Sequence, residues 1–139
     1  MLANIVRMIR KTMSIIYASN FTTSNDGWTL TGVSYIEPTG GQNGTGQIGF
    51  DYVGGYASAA RSFILSSPSI LEFYFSTGTG NPLQVLVNGV SVDLLAEGQS
   101  ITKSTTYNLP AGTTEVKFVT EADFDELSET TVSNITISA

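Results

Sequence analysis

The chain contains no cysteine and no histidine. Their absence excludes disulfides, Cys/His zinc sites, thiol nucleophiles and every mechanism that needs an imidazole base. An enzyme built from these residues has only carboxylates, Tyr, Lys and Arg to work with. Charge is scarce as well: 13% of residues are Asp, Glu, Lys or Arg, about half the usual share. No apolar run approaches the roughly 18 residues that a transmembrane helix requires, so no membrane partner is expected. The chain does not read as disordered, because 41% of its 139 residues are hydrophobic, enough for the core of one domain. Ser and Thr are abundant, 34 together, with 14 Gly. This balance points to a binding or structural protein with no catalytic residue, metal or cofactor, rather than to an enzyme.

Charge is unevenly placed. Arg7, Arg10 and Lys11 put three cations in the first eleven residues, with no acid. The remainder holds three Lys+Arg against all 12 acids, a net of −9. Such an acidic body repels phosphates, so no nucleic-acid partner is expected. Leu2, Ile5, Val6 and Ile9 follow the i, i+3, i+4, i+7 spacing of one helical face. A helix of about twelve residues is marginal alone in water and orders when that face docks. Three dockings are open: on its own domain, on a neighbouring subunit, or on a membrane surface. The cations interrupt the apolar residues, and Met13–Ala18 is short for a secretory signal, so no cleavable signal is expected. Met13 is an alternative start that would leave the arm dispensable.

Beyond Ser14 the helical spacing disappears. Segments rich in Ile, Val, Tyr, Phe and Thr alternate with Gly, Asn, Pro and Ser clusters, the rhythm of a sandwich or barrel. Strands are expected near Ile15–Phe21, Trp28–Ile36, Gln47–Tyr52, Ala59–Leu65, Ile70–Ser76, Leu83–Val87, Val90–Leu94, Ser100–Leu109, Glu115–Thr120 and Thr131–Ser138. Asn88-Gly89 reads as a tight antiparallel turn. The last strand has mixed faces: Val132, Asn134 and Thr136 alternate with Ser133, Ile135 and Ile137. The expected fold is all-β, an antiparallel β-sandwich over 14–139 preceded by a short helical or extended arm over 1–13.

Three groups of residues invite a chemical reading. Gly44-Thr45-Gly46-Gln47-Ile48-Gly49 matches the dinucleotide pattern literally, but Phe50-Asp51-Tyr52-Val53-Gly54-Gly55 follows and is no helix, so a loop is expected. Glu121, Asp123, Asp125, Glu126 and Glu129 crowd one segment. They read as a solvated surface, all in similar surroundings, ahead of a calcium or cationic partner and of paired glycosidase carboxylates. Trp28, Tyr35, Phe50, Tyr52, Tyr56 and Tyr74 are rings on which the apolar face of a sugar could pack. Trp28 begins a strand and reads as core. Tyr52 and Tyr56 flank Gly54-Gly55 and read as loop or rim residues, the candidate ligand contacts.

Asp26-Gly27-Trp28-Thr29-Leu30, Leu71-Glu72-Phe73-Tyr74-Phe75, Gln84-Val85-Leu86-Val87-Asn88-Gly89, Leu109-Pro110-Ala111-Gly112-Thr113 and Val132-Ser133-Asn134-Ile135-Thr136-Ile137 together resemble the galactose-binding-like jelly roll of carbohydrate-binding modules, over about residues 15–139. In that family the final strand often starts with an acidic pair, one member helping to hold a structural calcium. Here Ser133-Asn134 stands there, and Asn20-Phe21-Thr22 has no acid after the Phe. The same jelly roll is similar to small phage virion proteins that decorate or cement a capsid. Many of those are free-standing and cysteine-free, grip neighbours with an N-terminal arm and assemble as trimers. What this resemblance implies is a virion capsid decoration protein, made in the host cytoplasm. It would be a homo-oligomer, in that pattern a trimer, contacting the major capsid protein or other virion subunits through Leu2, Ile5, Val6, Arg7, Ile9, Arg10 and Lys11. The alternative is a carbohydrate-binding module or glycan-binding virion accessory domain that uses Tyr52 and Tyr56.

Overall fold

The computed structural model describes residues 13–51, 55–122 and 128–139. The arm residues Leu2, Ile5, Val6, Arg7, Ile9, Arg10 and Lys11 lie outside them, as do Tyr52, Asp123, Asp125 and Glu126. The described residues form two antiparallel sheets and one 3₁₀ turn, Gln42–Gly44. The strands are β1 (Ile15–Ala18), β2 (Thr29–Gly32), β3 (Ser34–Glu37), β4 (Gln47–Phe50), β5 (Gly55–Leu65), β6 (Ser69–Ser76), β7 (Leu83–Val87), β8 (Val90–Leu95), β9 (Thr102–Lys103), β10 (Tyr107–Leu109), β11 (Gly112–Ala122) and β12 (Thr130–Ser138). One sheet runs β10-β6-β12-β4-β3, with β1 added beside β12 and β9 beside β6. The other runs β2-β5-β11-β7-β8. Their facing sides make the jelly-roll sandwich.

Period-two alternation builds the core. Leu71, Phe73 and Phe75 point inward from β6, and Leu83, Val85 and Val87 from β7. Val116 and Phe118 do so from β11. Phe118 stacks on Trp28, with ring centroids 5.6 Å apart, and meets Phe73 edge-on at 4.9 Å. Trp28 is buried as expected. Asn88 and Gly89 both take positive φ in the β7–β8 turn, which the twist of a two-residue hairpin demands.

Three expectations need correction. The run Trp28–Ile36 is two strands in different sheets: β2 pairs with β5, and β3 pairs with β4. Gly32 sits at the corner with φ +69, and a Cβ there would lie 2.0 Å from the Tyr56 carbonyl oxygen. No other residue fits, and the chain crosses between layers at that point. The run Ser100–Leu109 is also two strands, β9 and β10. Between them Ser104 bonds Phe73 through its own backbone N–H and its side-chain Oγ, which interrupts the regular ladder. The mixed faces of β12 resolve at Asn134, whose φ is +49. The register with β6 shifts between Ser133 and Thr136. That bulge resets the alternation, so Val132, Ile135 and Ile137 all reach the core.

Two tyrosine–carboxylate bridges pin the layers together at opposite margins. Tyr17 of β1 donates to Asp26 Oδ2 at 2.6 Å and accepts from Trp28 Nε1 at 2.9 Å. The Arg61 guanidinium lies 4.5 Å over the Tyr17 ring and donates to the Asp26 carbonyl. Across the sandwich Tyr107 of β10 donates to Asp93 of β8 at 2.7 Å. Burial first, then the carboxylate partner, pushes both hydroxyls up to about 12 from an ordinary 10.0. The folded state therefore holds these protons more tightly than the unfolded chain. Their stabilising contribution is full below pH 10 and is lost as pH rises through about 12. Chemical denaturation at stepped alkaline pH should show stability falling across that window, with Tyr17→Phe removing part of the slope.

Candidate functional site

The outer side of the five-stranded sheet is set by the β5–β11 ladder. Tyr56, Ser58, Ala60, Ser62 and Ile64 stand opposite Glu121, Val119, Lys117, Glu115 and Thr113, and all point away from the core by alternation. The row extends outward on both sides. Thr29 stands beside Ala60 and Thr31 beside Ser58. Gln84 stands beside Val119, Leu86 beside Lys117 and Leu94 beside Gln84. Small residues at 58 and 60 keep the middle of the face low.

Among the described residues of this face, Tyr56 is the large exposed ring, 47% exposed. It lies in strand β5, not in a loop as the flanking glycines suggested. Lys117 Nζ sits 5.9 Å from the ring centroid. Hydrogen bonds from Ser58 and then from Lys117 pull the Tyr56 hydroxyl below its ordinary value. Two shallow depressions open on the same face. One is lined by Gly27, Thr29, Ala60, Arg61, Ser62 and Glu115, the other by Pro82, Gln84, Leu94, Val119 and Glu121.

Among the described residues this face offers an aromatic ring beside a cation, two carboxylates, an amide and several hydroxyls, with exposed Ile64 and Leu94 on the same row. Those are the groups that grip a polyol with one apolar face. Among the described residues of this face there is no pair of carboxylates at hydrolytic spacing. Glu115 and Glu121 are on one strand at a separation of about 20 Å by strand rise, whereas glycosidase pairs stand about 5–9.5 Å apart.

The other candidate groups fare differently. The acids of the 121–129 segment do not share one environment. Glu121 is exposed, while Glu129 is half-buried and its carboxyl is raised by burial. The Gly44–Gly49 run leads from the 3₁₀ turn into strand β4, not a helix. Its glycines allow close packing: a Cβ at Gly46 would meet the Phe21 backbone at 2.5 Å, and one at Gly49 the Tyr35 ring at 2.8 Å.

The positions that the resemblance pairs with a structural calcium carry no acid, Asn20–Thr22 and Ser133-Asn134 standing there. A cavity of about 110 Å³ is lined by Ser19, Asn20, Phe21, Thr22, Thr45, Gly46 and Asn134, none of them a carboxylate. Calcium takes 6–8 oxygens, and its affinity is set largely by their charge. The nearby Asp26 Oδ2 already accepts from Tyr17 and from the Asn20 N–H at 3.0 Å.

No protein-family model and no curated protein matches the chain. Solved structures do. A family 35 carbohydrate-binding module from Clostridium thermocellum superposes with a TM-score of 0.62 at 16% identity, covering 91% of this chain and 98% of that one. The carbohydrate-binding module TmCBM61, in complex with beta-1,4-galactotriose, gives 0.64 at 11% identity over 84% and 90%. The enzymatically active domain of tailspike protein 4 from bacteriophage CBA120 gives 0.56 at 16% identity, over 82% of this chain but 19% of that one. The chain has the galactose-binding-like sandwich fold of these carbohydrate-binding modules. At such identities the likeness establishes the fold alone.

The sequence singled out Tyr56 but missed Lys117, Gln84, Ser58 and Thr29. The alternation Glu115, Lys117, Val119 around buried Val116 and Phe118 was the available signal for an outward β11 face. Ser58→Ala should return the Tyr56 hydroxyl toward 10.0, read as a later phase in a spectrophotometric tyrosine titration.

Proposed function

We propose that this chain is a non-catalytic carbohydrate-binding domain that takes a glycan across the outer face of β2, β5, β11 and β7. The observation that carries the reading is the exposed Tyr56 ring beside Lys117, on the same face as the small residues Ser58 and Ala60 and two shallow depressions. A sugar ring would lie on Tyr56 with Lys117 and Glu121 beside it, and further units of the chain would run across the face toward Gln84 or Thr29. Polar groups around an exposed ring suit an oligosaccharide, with the exposed Ile64 and Leu94 giving further apolar surface on the same face. The sandwich likeness to two carbohydrate-binding modules supports this alternative over the decoration protein, which the same comparisons do not support. The tailspike likeness covers one small part of a much larger chain and says nothing about capsid clamping.

A glycan array tests the reading directly. The wild-type chain should retain at least one glycan class, and Tyr56→Ala should weaken that binding about tenfold or more, the loss of roughly 1.4 kcal/mol or above. Tyr56 is on the surface, so the variant's circular dichroism and thermal unfolding should match the wild type. An array without hits, or a variant that binds undiminished, would contradict the proposal.

A further inference from the structure

The lack of fit for calcium leaves a structural question. Three segments converge on one cavity of about 110 Å³, beside the positions that the resemblance pairs with that ion: the stretch after β1, the 3₁₀ turn leading into β4, and the bulged middle of β12. Something must tie them together, because the bulge removes regular ladder bonds exactly there.

Neutral hydrogen bonds occupy that role. Ser19 donates its backbone N–H to the Ile135 carbonyl at 2.9 Å, and Ile135 N–H donates back to Ser19 Oγ at 3.0 Å. Thr45 Oγ1 lies 2.8 Å from Asn134 Oδ1 and 2.8 Å from the Gln42 carbonyl, sharing one proton between them. Gln42 N–H donates to Ser133 Oγ at 3.3 Å. Gly41 N–H donates to the Thr45 carbonyl at 2.7 Å. Asn20 Oδ1 accepts from the Thr22 N–H and hydroxyl. The side-chain oxygens of Ser19, Asn20, Thr22, Thr45, Ser133 and Asn134 thus each take part in one of these bonds. The segments also pack closely, since a Cβ at Gly41 would lie 2.9 Å from Ser133 Cβ.

We infer that this Ser19–Thr45–Asn134 clasp replaces the calcium, so that the fold's stability is independent of that ion. The inference concerns how the sandwich is held and does not depend on the glycan reading. Asn134 serves twice: its positive φ forms the bulge and its side chain closes the clasp.

The test pairs a metal titration with one substitution. Thermal unfolding of the wild-type chain should have the same midpoint in calcium chloride and in chelator, and calorimetric titration with calcium should give no saturable heat. Thr45→Val keeps the side-chain shape but removes the shared hydroxyl, and should lower the midpoint by roughly 3–6 °C in both media. A saturable rise of the wild-type midpoint with calcium would overturn the inference. So would a Thr45→Val midpoint equal to that of the wild type. If Thr45→Val does not fold, the loss supports the clasp and the wild-type titration alone decides calcium independence.

Discussion

Everything on this molecule is referred to one ladder. Strands β5 and β11 pair antiparallel over eleven consecutive positions without a register shift, from Gly112 opposite Leu65 to Ala122 opposite Gly55. An uninterrupted ladder fixes the direction of every side chain along it, because a slip of one residue would exchange the two faces. Inward it delivers Ala57, Ala59, Phe63, Leu65, Val116 and Phe118 to the core. Outward it delivers Tyr56, Ser58, Ala60, Glu115, Lys117 and Glu121. Core and candidate site are two sides of one set of hydrogen bonds. Burial of Phe118, at roughly 1.5–3 kcal/mol for such a side chain, thereby also holds the register that brings Lys117 to Tyr56.

The opposite sheet is built differently. Strand β12 is flanked by β6 on one side and by β4 then β1 on the other. It carries a bulge where β4 gives way to β1, and short side-chain bonds cover the interruption. Regularity thus belongs to the β5–β11 ladder of the candidate ligand face, although the β7–β8 pair beside it shifts register between Val85 and Leu86. The pairing continues past β1 and β12, where Ser14 and Ala139 exchange backbone hydrogen bonds at 2.9 and 3.0 Å. The tyrosine–carboxylate bridges at the two margins then stop the layers from sliding.

Local signals in the sequence reached far into the fold. Asn88-Gly89 was legible because a two-residue hairpin needs positive φ, which those residues supply most cheaply. Leu83, Val85 and Val87 announced a half-buried strand by alternation alone. What stayed hidden depends on distant partners. Gly32 looks like any glycine in a β-rich run; only the Tyr56 carbonyl behind it makes it the corner between two sheets. Asn134 looked like a break in the alternation of β12, whereas it is the residue that corrects the phase. The site followed the same rule. An aromatic ring near two glycines is visible in one dimension, but Lys117 comes beside it, and Gln84 and Thr29 onto the same face, only through the pairing of β11, β7 and β2. The arm, read as an amphipathic basic segment, lies outside the described residues.

The central claim is that the outward row of the β5–β11 ladder is where a glycan lies. Amide chemical-shift mapping during titration with an oligosaccharide retained by the wild-type chain tests it most directly. The account predicts that the largest shifts fall at Tyr56, Ser58, Ala60, Lys117, Val119 and Gln84, with β6 and β12 unmoved. Shifts concentrated on the loops at the ends of the sandwich, or on the seven-stranded sheet, would contradict it.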